Sequence, residues 1–451
     1  MIPSQRVYQL LLLGTGVGLG LSAFGSGNTR PALLLVALGL TLTWDVLILG
    51  LAFWDSQRVK SSQVKISRES LQRLSIGQEN PVRLTVKSGD AKQFPLWGNR
   101  PATLQIRDFY PPEFTATPPL LELTLPPNRE EELTYTVFPA KRGEYPFGDI
   151  QVRQLGAWGL AWHSWRIPQP QTVAVYPDLL GLRSLSLKLT LQNSGNIRRA
   201  KRLGMGTEFA ELREYSTGDD PRLIDWKATA RRSRLLLRVL EPEQEQTLMI
   251  LLDRGRLMTA QVKGLARFDW GLNAALSLAL AGLNRGDRVG IGVFDRQMQV
   301  WVPPERGQAQ LTKLIERLTP IHPVLLEPDY LEAVTHVTSQ HTRRALVVLI
   351  TDLVDKTASS ELLLSMGRLA PRYLPFCVTL RDPQIDGQAH TLTPDIPSTY
   401  ARAVALDLLA QRQVALATLK QRGVLILDAP ANQITEQLVD RYLQLKARSQ
   451  L

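Results

Sequence analysis

Acidic and basic side chains are densest between residues 204 and 232. This stretch, GMGTEFAELREYSTGDDPRLIDWKATARR, holds six carboxylates and five basic groups in 29 residues. The carboxylates between 208 and 225 suit a metal-dependent hydrolase, since two-metal sites are built from clustered carboxylates. The same mixture of charges suits internal salt bridges, and its basic members suit a polyanion. Residue types alone therefore leave an active site, a nucleic-acid patch and a structural network open.

Two further aspartates follow apolar runs that predict strands. Asp253 ends TLMILLD and Asp352 lies in ALVVLITDL, and ligands of doubly wound sheets sit at the carboxyl ends of strands. A hard divalent cation needs several oxygen ligands that converge on it. The positions two and four residues after Asp253 are Gly255 and Leu257, which carry no side-chain oxygen. We therefore expect no tight cation site here and predict that the two aspartates cap loop and helix N–H groups.

Other catalytic signatures are missing from the sequence. It has no Gly-x-x-x-x-Gly-Lys-Ser/Thr phosphate loop, no Gly-x-Ser-x-Gly nucleophile elbow and no His-Glu-x-x-His metal motif. The single cysteine, Cys377, lies in the apolar run YLPFCVTL, which predicts a buried strand residue and excludes a disulfide framework. We predict that the protein is not an enzyme and holds no cofactor, and we assign it no small-molecule substrate.

Two apolar segments near the N-terminus predict a membrane anchor. Residues 8–24 and 31–54 fall near the length that crosses a bilayer. We therefore predict a hairpin of two transmembrane helices over residues 1–55. The loop between them carries only Arg30, so both ends of the hairpin and the soluble domains are expected in the cytoplasm. The basic residues outside the hairpin that set this orientation are Arg6, Arg58, Lys60, Lys65, Arg68 and Arg73.

Two features of these segments bear on how the helices pack. The pairs Gly14/Gly18 and Gly16/Gly20 are each four residues apart, a spacing that lets helix backbones approach closely. A merely glycine-rich apolar span fits the sequence equally well. Asp45 is costly in hydrocarbon, so we expect it near one end of its helix or facing a partner helix.

Residues 56–176 consist of short alternating runs broken by proline and glycine, which predicts an antiparallel β-sandwich-like domain. The bend GAWGLAWHSW contains Trp158, Trp162 and Trp165. We predict that these side chains pack on the sheet, with carbohydrate or membrane contact as the alternative. The predicted strands lie in NPVRLTVKSG, ATLQIRDFYPP, LLELTLPPN, ELTYTVFPAKRGEYPFGDIQVR and TVAVYPD.

Residues 246–451 alternate continuous apolar runs with amphipathic stretches, which predicts a doubly wound, mostly parallel α/β sheet. Residues 177–245 form a connector between the two soluble domains. The predicted strands of the sheet are TLMILLD, DRVGIGVFD, QVWVPP, ALVVLITDL, LPFCVTL and GVLILDA. Helices are predicted near 265–284, 308–318, 328–340, 358–369, 399–421 and 432–446.

Within the connector, Phe209, Leu212 and Tyr215 recur at helical intervals and predict a helix that stops at Gly218. Asp220 and Pro221 then predict the cap and first turn of a second helix through residue 231, followed by a strand in SRLLLRVLEPE. Trp226 is expected to face the core of the protein. We also expect Arg213 or Arg222 to pair with Asp219 and Asp225. These expectations favour a structural junction between the domains over a catalytic site and leave a partner-facing role open.

Two basic runs, RRAKR at 198–202 and RRSRLLLR at 231–238, fit a net charge of +11. Such runs suit anionic lipid or nucleic acid, although a solvated face explains them equally well. The acids nearby leave residues 204–232 with a local charge near −1, which is a poor footprint for a polyanion. We therefore expect no nucleic-acid partner.

The order of these features resembles the bacterial membrane-anchored family known as domain of unknown function fifty-eight. The likeness covers nearly the whole chain: the hairpin, the β-domain ending in RGEYPFG and VYPD, the motif GTEFAELREYSTGDDPRLIDWKATAR, and a domain like von Willebrand factor A. The positions that match the family motif are Gly206, Glu208, Phe209, Leu212, Arg213, Tyr215, Gly218, Asp219, Arg222, Asp225, Trp226, Lys227, Ala230 and Arg231.

The resemblance implies a scaffold or adaptor rather than a known catalyst. Family members are linked with MoxR-type AAA+ ATPases, so such an ATPase is the expected partner. Many members carry Asp-x-Ser-x-Ser where this chain has Asp253, Gly255 and Leu257, which weakens metal-dependent binding here. The alternatives are a metal-dependent hydrolase that uses the 208–225 carboxylates, or a binder of anionic lipid or nucleic acid.

Overall fold

The computed structural model divides the chain into two compact units, Met1–Val175 and Tyr176–Leu451. The basic run 198–202 and Gly206 lie outside the residues that the structure describes. The described residues are 2–23, 30–59, 64–71, 73–88, 101–126, 129–179, 181–189, 208–241, 246–353, 359–370, 372–391 and 395–447.

The first unit begins with two long helices, α1 (Gln5–Ala23) and α2 (Arg30–Val59). Apolar side chains cover their surfaces; Leu35 and Val46 of α2 are 71% and 70% exposed. Among the described residues, one helix, Leu34–Val59, is long and apolar enough to cross a membrane, with a mean hydropathy of 2.1. Asp45 lies near the middle of α2 and is half-buried rather than near an end.

One of the two glycine pairs lies where α1 meets α2. A Cβ atom on Gly14 would come within 2.2 Å of Trp44 Cδ1, and one on Gly18 would come within 2.2 Å of Thr41 Cγ2. No atom lies within 4 Å of a Cβ built on Gly16 or on Gly20. The close approach predicted for glycines four apart is thus confirmed for Gly14/Gly18 and wrong for Gly16/Gly20.

All strand pairing described in the first unit is antiparallel, as the alternating runs predict. Three sheets have the orders β1-β11-β10-β5-β7, β3-β12-β9 and β2-β4-β8-β6. Their strands are β1 (Ile2–Pro3), β2 (Lys65–Arg68), β3 (Arg73–Ser75), β4 (Asn80–Lys87), β5 (Ala102–Asp108), β6 (Phe114–Thr117), β7 (Leu121–Leu125), β8 (Glu130–Pro139), β9 (Gly143–Phe147), β10 (Ile150–Leu155), β11 (Ala161–Ile167) and β12 (Gln171–Tyr176).

A buried ion pair connects two of these sheets. Arg68 of β2 donates from Nε to Asp108 Oδ2 of β5 over 2.9 Å, and the Tyr135 hydroxyl of β8 donates to the same oxygen over 2.6 Å. Burial, with the Asp108 carboxylate next, raises the pKa of Tyr135 well above its ordinary value. Tyr135 therefore stays a protonated donor to the carboxylate, which satisfies a charge that would be costly to bury alone.

The second unit carries a six-stranded sheet in the order β19-β18-β15-β20-β21-β22. Five of its strands are parallel, and β19 pairs antiparallel at one edge. This confirms the predicted doubly wound, mostly parallel sheet. The strands are β15 (Thr247–Asp253), β18 (Arg288–Phe294), β19 (Met298–Glu305), β20 (Leu346–Thr351), β21 (Leu374–Arg381) and β22 (Leu425–Pro430).

Helices cover both faces of this sheet, so alternate residues of a strand enter two different cores. Ile250 and Leu252 of β15 pack into one core, and Met249 and Leu251 pack into the other. Cys377 is fully buried in β21, as predicted, and burial raises the pKa of its thiol to about 12.

Each predicted amphipathic stretch of the second unit forms a helix. The sequence patterns missed the helix Pro383–His390 and the helical residues 181–189. A short hairpin of β16 (Gln261–Val262) and β17 (Leu265–Ala266) follows β15. The helices are α3 (Trp226–Arg232), α4 (Arg267–Asn284), α5 (Gln308–Leu318), α6 (Tyr330–Gln340), α7 (Ser360–Leu369), α8 (Pro383–His390), α9 (Ile396–Gln421) and α10 (Ile434–Ala447).

Candidate functional site

The motif segment folds as a β-hairpin: the first predicted helix is a strand instead, and of the second predicted helix only the later part, Trp226–Arg232, is α-helical. Strand β13 (Glu208–Glu214) pairs antiparallel with β14 (Leu236–Glu241), and the register shifts between Phe209 and Glu211. Such a bulge adds one residue to one strand, which changes the spacing of side chains from two to three. The spacing of Phe209 and Leu212 therefore resembled a helical interval. The strand predicted in SRLLLRVLEPE is confirmed by β14.

Two successive aspartate caps replace the long second helix that was predicted. Asp220 accepts from Arg222 N over 2.9 Å and caps a single 3₁₀ turn, Pro221–Leu223. Asp225 then accepts from Ala228 N over 3.0 Å and begins α3. The capping role of Asp220 is as predicted, but the helix it starts ends after one turn.

Arginines of the hairpin pair with its carboxylates. Arg213 lies 2.5 Å from Asp219, as expected, whereas Asp225 pairs with Arg238 over 2.8 Å instead of with Arg213 or Arg222. The hydrogen bond from Arg213 lowers the pKa of Asp219, whose other oxygen accepts from Ser216 N over 2.9 Å. These contacts hold the turn around Gly218, where the backbone has φ +109°.

Trp226 does not face the core. Its side chain is 67% exposed, because α3 rests on the hairpin through residues 228 and 229 instead. Thr229 Oγ1 accepts from Leu236 N over 3.1 Å, which fixes that orientation. Trp226 and Arg231 therefore lie on the outward side of the helix, and Arg222 is exposed on the 3₁₀ turn before it.

The remaining motif residues lie at the start and the turn of the hairpin. Glu208 is the first residue of β13. Tyr215 donates from its hydroxyl to the Asp219 carbonyl over 3.3 Å. Across the residues that the structure describes, no group of three or more His, Cys, Asp or Glu side chains is arranged to hold a metal ion.

The carboxyl edge of the α/β sheet brings Asp253 together with two hydroxyl groups. Asp253 Oδ2 accepts from Thr351 Oγ1 over 2.7 Å and from the Tyr330 hydroxyl over 3.2 Å. Asp253 Oδ1 accepts from Gly255 N over 2.6 Å, which is the loop-capping contact predicted for it. Burial raises the pKa of Asp253 to about 6, although these hydrogen bonds lower it.

Asp352 lies at the same edge between two arginines. Arg412 Nη1 donates to Asp352 Oδ1 over 2.8 Å, and Arg267 Nη1 bonds to Asp352 Oδ2. Arg412 also lies 2.9 Å from Asp428 of β22. All of these side chains are largely buried. Burial acts to lower the pKa of Arg412, but the carboxylates of Asp352 and Asp428 raise it, so its charge is retained.

The residues at this edge do not fit a divalent cation. The Leu257 carbonyl, at the position of a missing hydroxyl ligand, accepts from Arg267 Nη1 over 3.2 Å. A Cβ atom on Gly255 would come within 2.8 Å of the Leu326 carbonyl oxygen, so a serine there would force the loop to move. Guanidinium groups thus supply the positive charge beside Asp352 that a cation would otherwise provide.

Sequence reasoning missed Arg267 and Arg412. Arg267 opens α4, whose other residues are mostly apolar and buried. A charged residue at the start of such a helix needs a buried partner of opposite charge. The position of Arg267 in the sequence therefore indicates that it pairs with a buried carboxylate. Arg412 gives no comparable signal, because α9 is amphipathic and carries several exposed charges.

In the first unit, the tryptophan-rich bend holds the end of α2. Asp55 is buried and accepts from Trp158 N and from Leu160 N, each over 3.1 Å. The Trp54 and Trp158 rings lie 5.1 Å apart, and the Arg58 guanidinium lies 3.6 Å from the Trp54 ring centre. Trp158 therefore packs on the helix end rather than on the sheet surface alone.

Part of the chain is similar to a family of known sequences. Residues 211–386 match the family described as Protein of unknown function DUF58, which confirms the predicted resemblance over that stretch. An uncharacterized protein of Mycobacterium tuberculosis is 21% identical over 225 residues, which cover 49% of this chain and 70% of that protein. The uncharacterized protein YeaD of Bacillus subtilis is 23% identical over 196 residues, which cover 43% of this chain and 46% of YeaD.

Solved structures are similar to this chain over less than half its length. The conserved hypothetical protein BatB from Bacteroides thetaiotaomicron aligns with a TM-score of 0.32 and 14% identity, covering 45% of this chain and 99% of BatB. The SpRpn10 VWA domain aligns with a TM-score of 0.29 and 13% identity, covering 44% of this chain and 94% of that domain.

Proposed function

We propose that this protein is a membrane-anchored, non-catalytic adaptor whose soluble domains lie in the cytoplasm. The observation that carries the proposal is the exposed apolar surface of α2, which ends at Trp54 and Arg58. Tryptophan and arginine are typical of the boundary between hydrocarbon and water. With α1 as a second span, the basic residues outside the hairpin outnumber those in its loop, which favours cytoplasmic ends.

The adaptor part of the proposal rests on the carboxyl edge of the α/β sheet. In open α/β sheets this edge is where ligands bind. Here Asp352 and Asp428 share Arg412, while Arg267 also pairs with Asp352 and Arg381 with Asp428. This internal pairing supports a binding role over a catalytic one, and a MoxR-type AAA+ ATPase is the partner we propose.

Membrane anchoring is tested by replacing exposed apolar residues of α2. Leu35→Asp with Val46→Asp would place two carboxylates in the span, and the one at Val46, near the centre of Leu34–Val59, costs about 2.5–3.5 kcal/mol. We expect the double variant to leave the alkali-resistant membrane fraction, while Leu35→Ile with Val46→Ile stays there. Anchoring by α2 is refuted if the aspartate variant remains as resistant to extraction as the wild type.

The partner is tested by mild crosslinking in membranes, followed by capture of the full-length chain and identification of bound proteins. We expect an AAA+ ATPase among them, at a level that the anchored isoleucine variant retains. Recovery of the chain without any such ATPase, under conditions where a known membrane complex stays crosslinked, would remove this partner from the proposal.

A further inference from the structure

Helix α3 presents an outward face that combines an indole with cations. Trp226, Lys227, Ala230 and Arg231 are all exposed, while residues 228 and 229 turn toward the hairpin. Arg232 is exposed at the end of the same helix. Together with Arg222 on the preceding turn, these six residues are called the indole–cation face below.

The folded hairpin does not use the cations of this face. Its ion pairs are Arg213–Asp219, Arg234–Glu214 and Arg238–Asp225. Within the described part of the chain, Arg222, Lys227, Arg231 and Arg232 form no ion pair. Four exposed positive charges thus lie on the same short segment as an exposed indole, and no ion pair among the described residues holds them.

We propose that the indole–cation face docks on an anionic membrane surface. Tryptophan is favoured at the headgroup level, where its ring is apolar and its N–H reaches water. Each lysine or arginine near an anionic leaflet strengthens binding about fivefold. Four such residues give on the order of 500-fold, before any contribution from the indole.

The size of the face favours a membrane over a protein. A stable protein interface buries about 800 Å² on each partner and involves 20–30 residues, whereas this face has six. A bilayer needs no complementary shape, so a small cationic surface with one indole is sufficient. The inference rests on the proposed membrane anchor, because a tethered chain holds the face at high effective concentration near the lipid.

A single fluorophore at Ala230→Cys reports on docking. Cys377 is fully buried and the pKa of its thiol is raised to about 12 by burial, so a maleimide labels the new cysteine selectively. The full-length protein is reconstituted into vesicles containing brominated lipid, with and without phosphatidylglycerol. A label at Ser339→Cys, exposed on α6, serves as the control position.

We expect the label at position 230 to be quenched in the anionic vesicles, less in phosphatidylcholine alone, and less in both as salt is raised. Arg231→Glu with Arg232→Glu should weaken docking by at least about 25-fold, the effect of losing two cations. Arg256→Glu with Lys313→Glu changes the net charge equally at other exposed sites and should leave quenching unchanged. Trp226→Ala should reduce quenching even though every cation remains.

Failure of the docking and failure of the anchor are distinguishable. Flotation reports whether the chain is in the vesicles, and the label reports whether the face contacts them. Floating protein with an unquenched label at position 230 overturns the inference but not the anchor. Protein that does not float overturns the anchor, and the label is then read with the soluble protein added to anionic vesicles. A label that responds to poly-glutamate but not to lipid overturns the inference in favour of an acidic protein partner.

Discussion

Arg412 Nη1 lies 2.8 Å from Asp352 Oδ1, with both side chains almost completely buried. The same guanidinium reaches Asp428 on the neighbouring part of the sheet edge. One buried cation therefore pairs with a carboxylate that follows β20 and with another that lies in β22. Because removing one member of such a group leaves the remaining buried charges less well compensated, the stability of the edge should depend on Arg412.

Replacement of Arg412 should destabilise the second unit. Arg412→Ala leaves Asp352 with Arg267 and Asp428 with Arg381 as the remaining cations, so the buried carboxylates share less positive charge, and breaking a buried pair costs about 3–5 kcal/mol. We expect the free energy of unfolding of Arg412→Lys to lie between those of Arg412→Ala and the wild type, because lysine keeps the charge but lacks the forked geometry of the guanidinium. Denaturant unfolding of the detergent-solubilised protein measures the difference. Equal stability of Arg412→Ala and the wild type would show that the pair is not needed.

Divalent cations should not stabilise the protein. A site whose Kd is one hundredth of the added concentration would contribute about 2.7 kcal/mol of stability. The melting temperature should therefore be the same in millimolar Mg²⁺, in millimolar Mn²⁺ and in EDTA. A saturable rise that Asp253→Asn abolishes would show that a cation binds at the sheet edge despite Arg267.

The stability contributed by Asp253 should depend on pH. Since its folded pKa is raised to about 6 by burial, folding favours the protonated acid. The contribution of protonated Asp253 to the free energy of unfolding is complete below the ordinary carboxyl pKa and is lost as pH rises through about 6. A shift of roughly two units corresponds to on the order of 3 kcal/mol. Asp253→Asn should therefore gain stability relative to the wild type between pH 4.5 and about pH 7.

Unfolding at a series of pH values measures this difference. Asp295→Asn is a useful comparison, since the hydrogen bonds and the Arg254 partner lower the pKa of Asp295 despite its burial. The stability deficit of that variant relative to the wild type should develop as pH rises from the lowered pKa of Asp295 to the ordinary carboxyl value, and should stay constant above it. Parallel pH profiles for the two variants would contradict the assignment for Asp253.

The glycines of α1 should differ in their tolerance of a methyl group. Gly14→Ala places a Cβ atom 2.2 Å from Trp44 Cδ1, so the helices must separate or the indole must move. Gly16→Ala meets open space and should gain up to about 1 kcal/mol from helix propensity. Thermal unfolding in detergent should therefore rank Gly16→Ala at or above the wild type and Gly14→Ala below it. The reverse order would place the contact between the helices elsewhere.

The sequence predicts a residue's structural role correctly where a single physical rule determines that role. The buried strand around Cys377 followed from a continuous apolar run, and Asp220 followed from the preference of aspartate for caps. Phe209 and Leu212 were misassigned to a helix because a bulge gives a strand the same local spacing. Trp226 was placed in the core by its apolar character alone, although nothing in the sequence fixes which side of a short helix faces the hairpin. Arg267 and Arg412 pair with Asp352 across 85 and 60 positions of sequence, respectively, which local spacing does not reveal.

The contacts of Asp55 have a mechanical consequence. The last turns of α2 are fixed to the bend before β11 by two hydrogen bonds from backbone N–H groups to the Asp55 carboxylate and by the contact between the tilted Trp54 and Trp158 rings. These contacts therefore couple the end of the helix to the β-domain of the first unit. If α2 tilts to match a thinner bilayer, the contacts transmit that tilt to the β-domain. Membrane thickness would thus be converted into the orientation of a soluble domain.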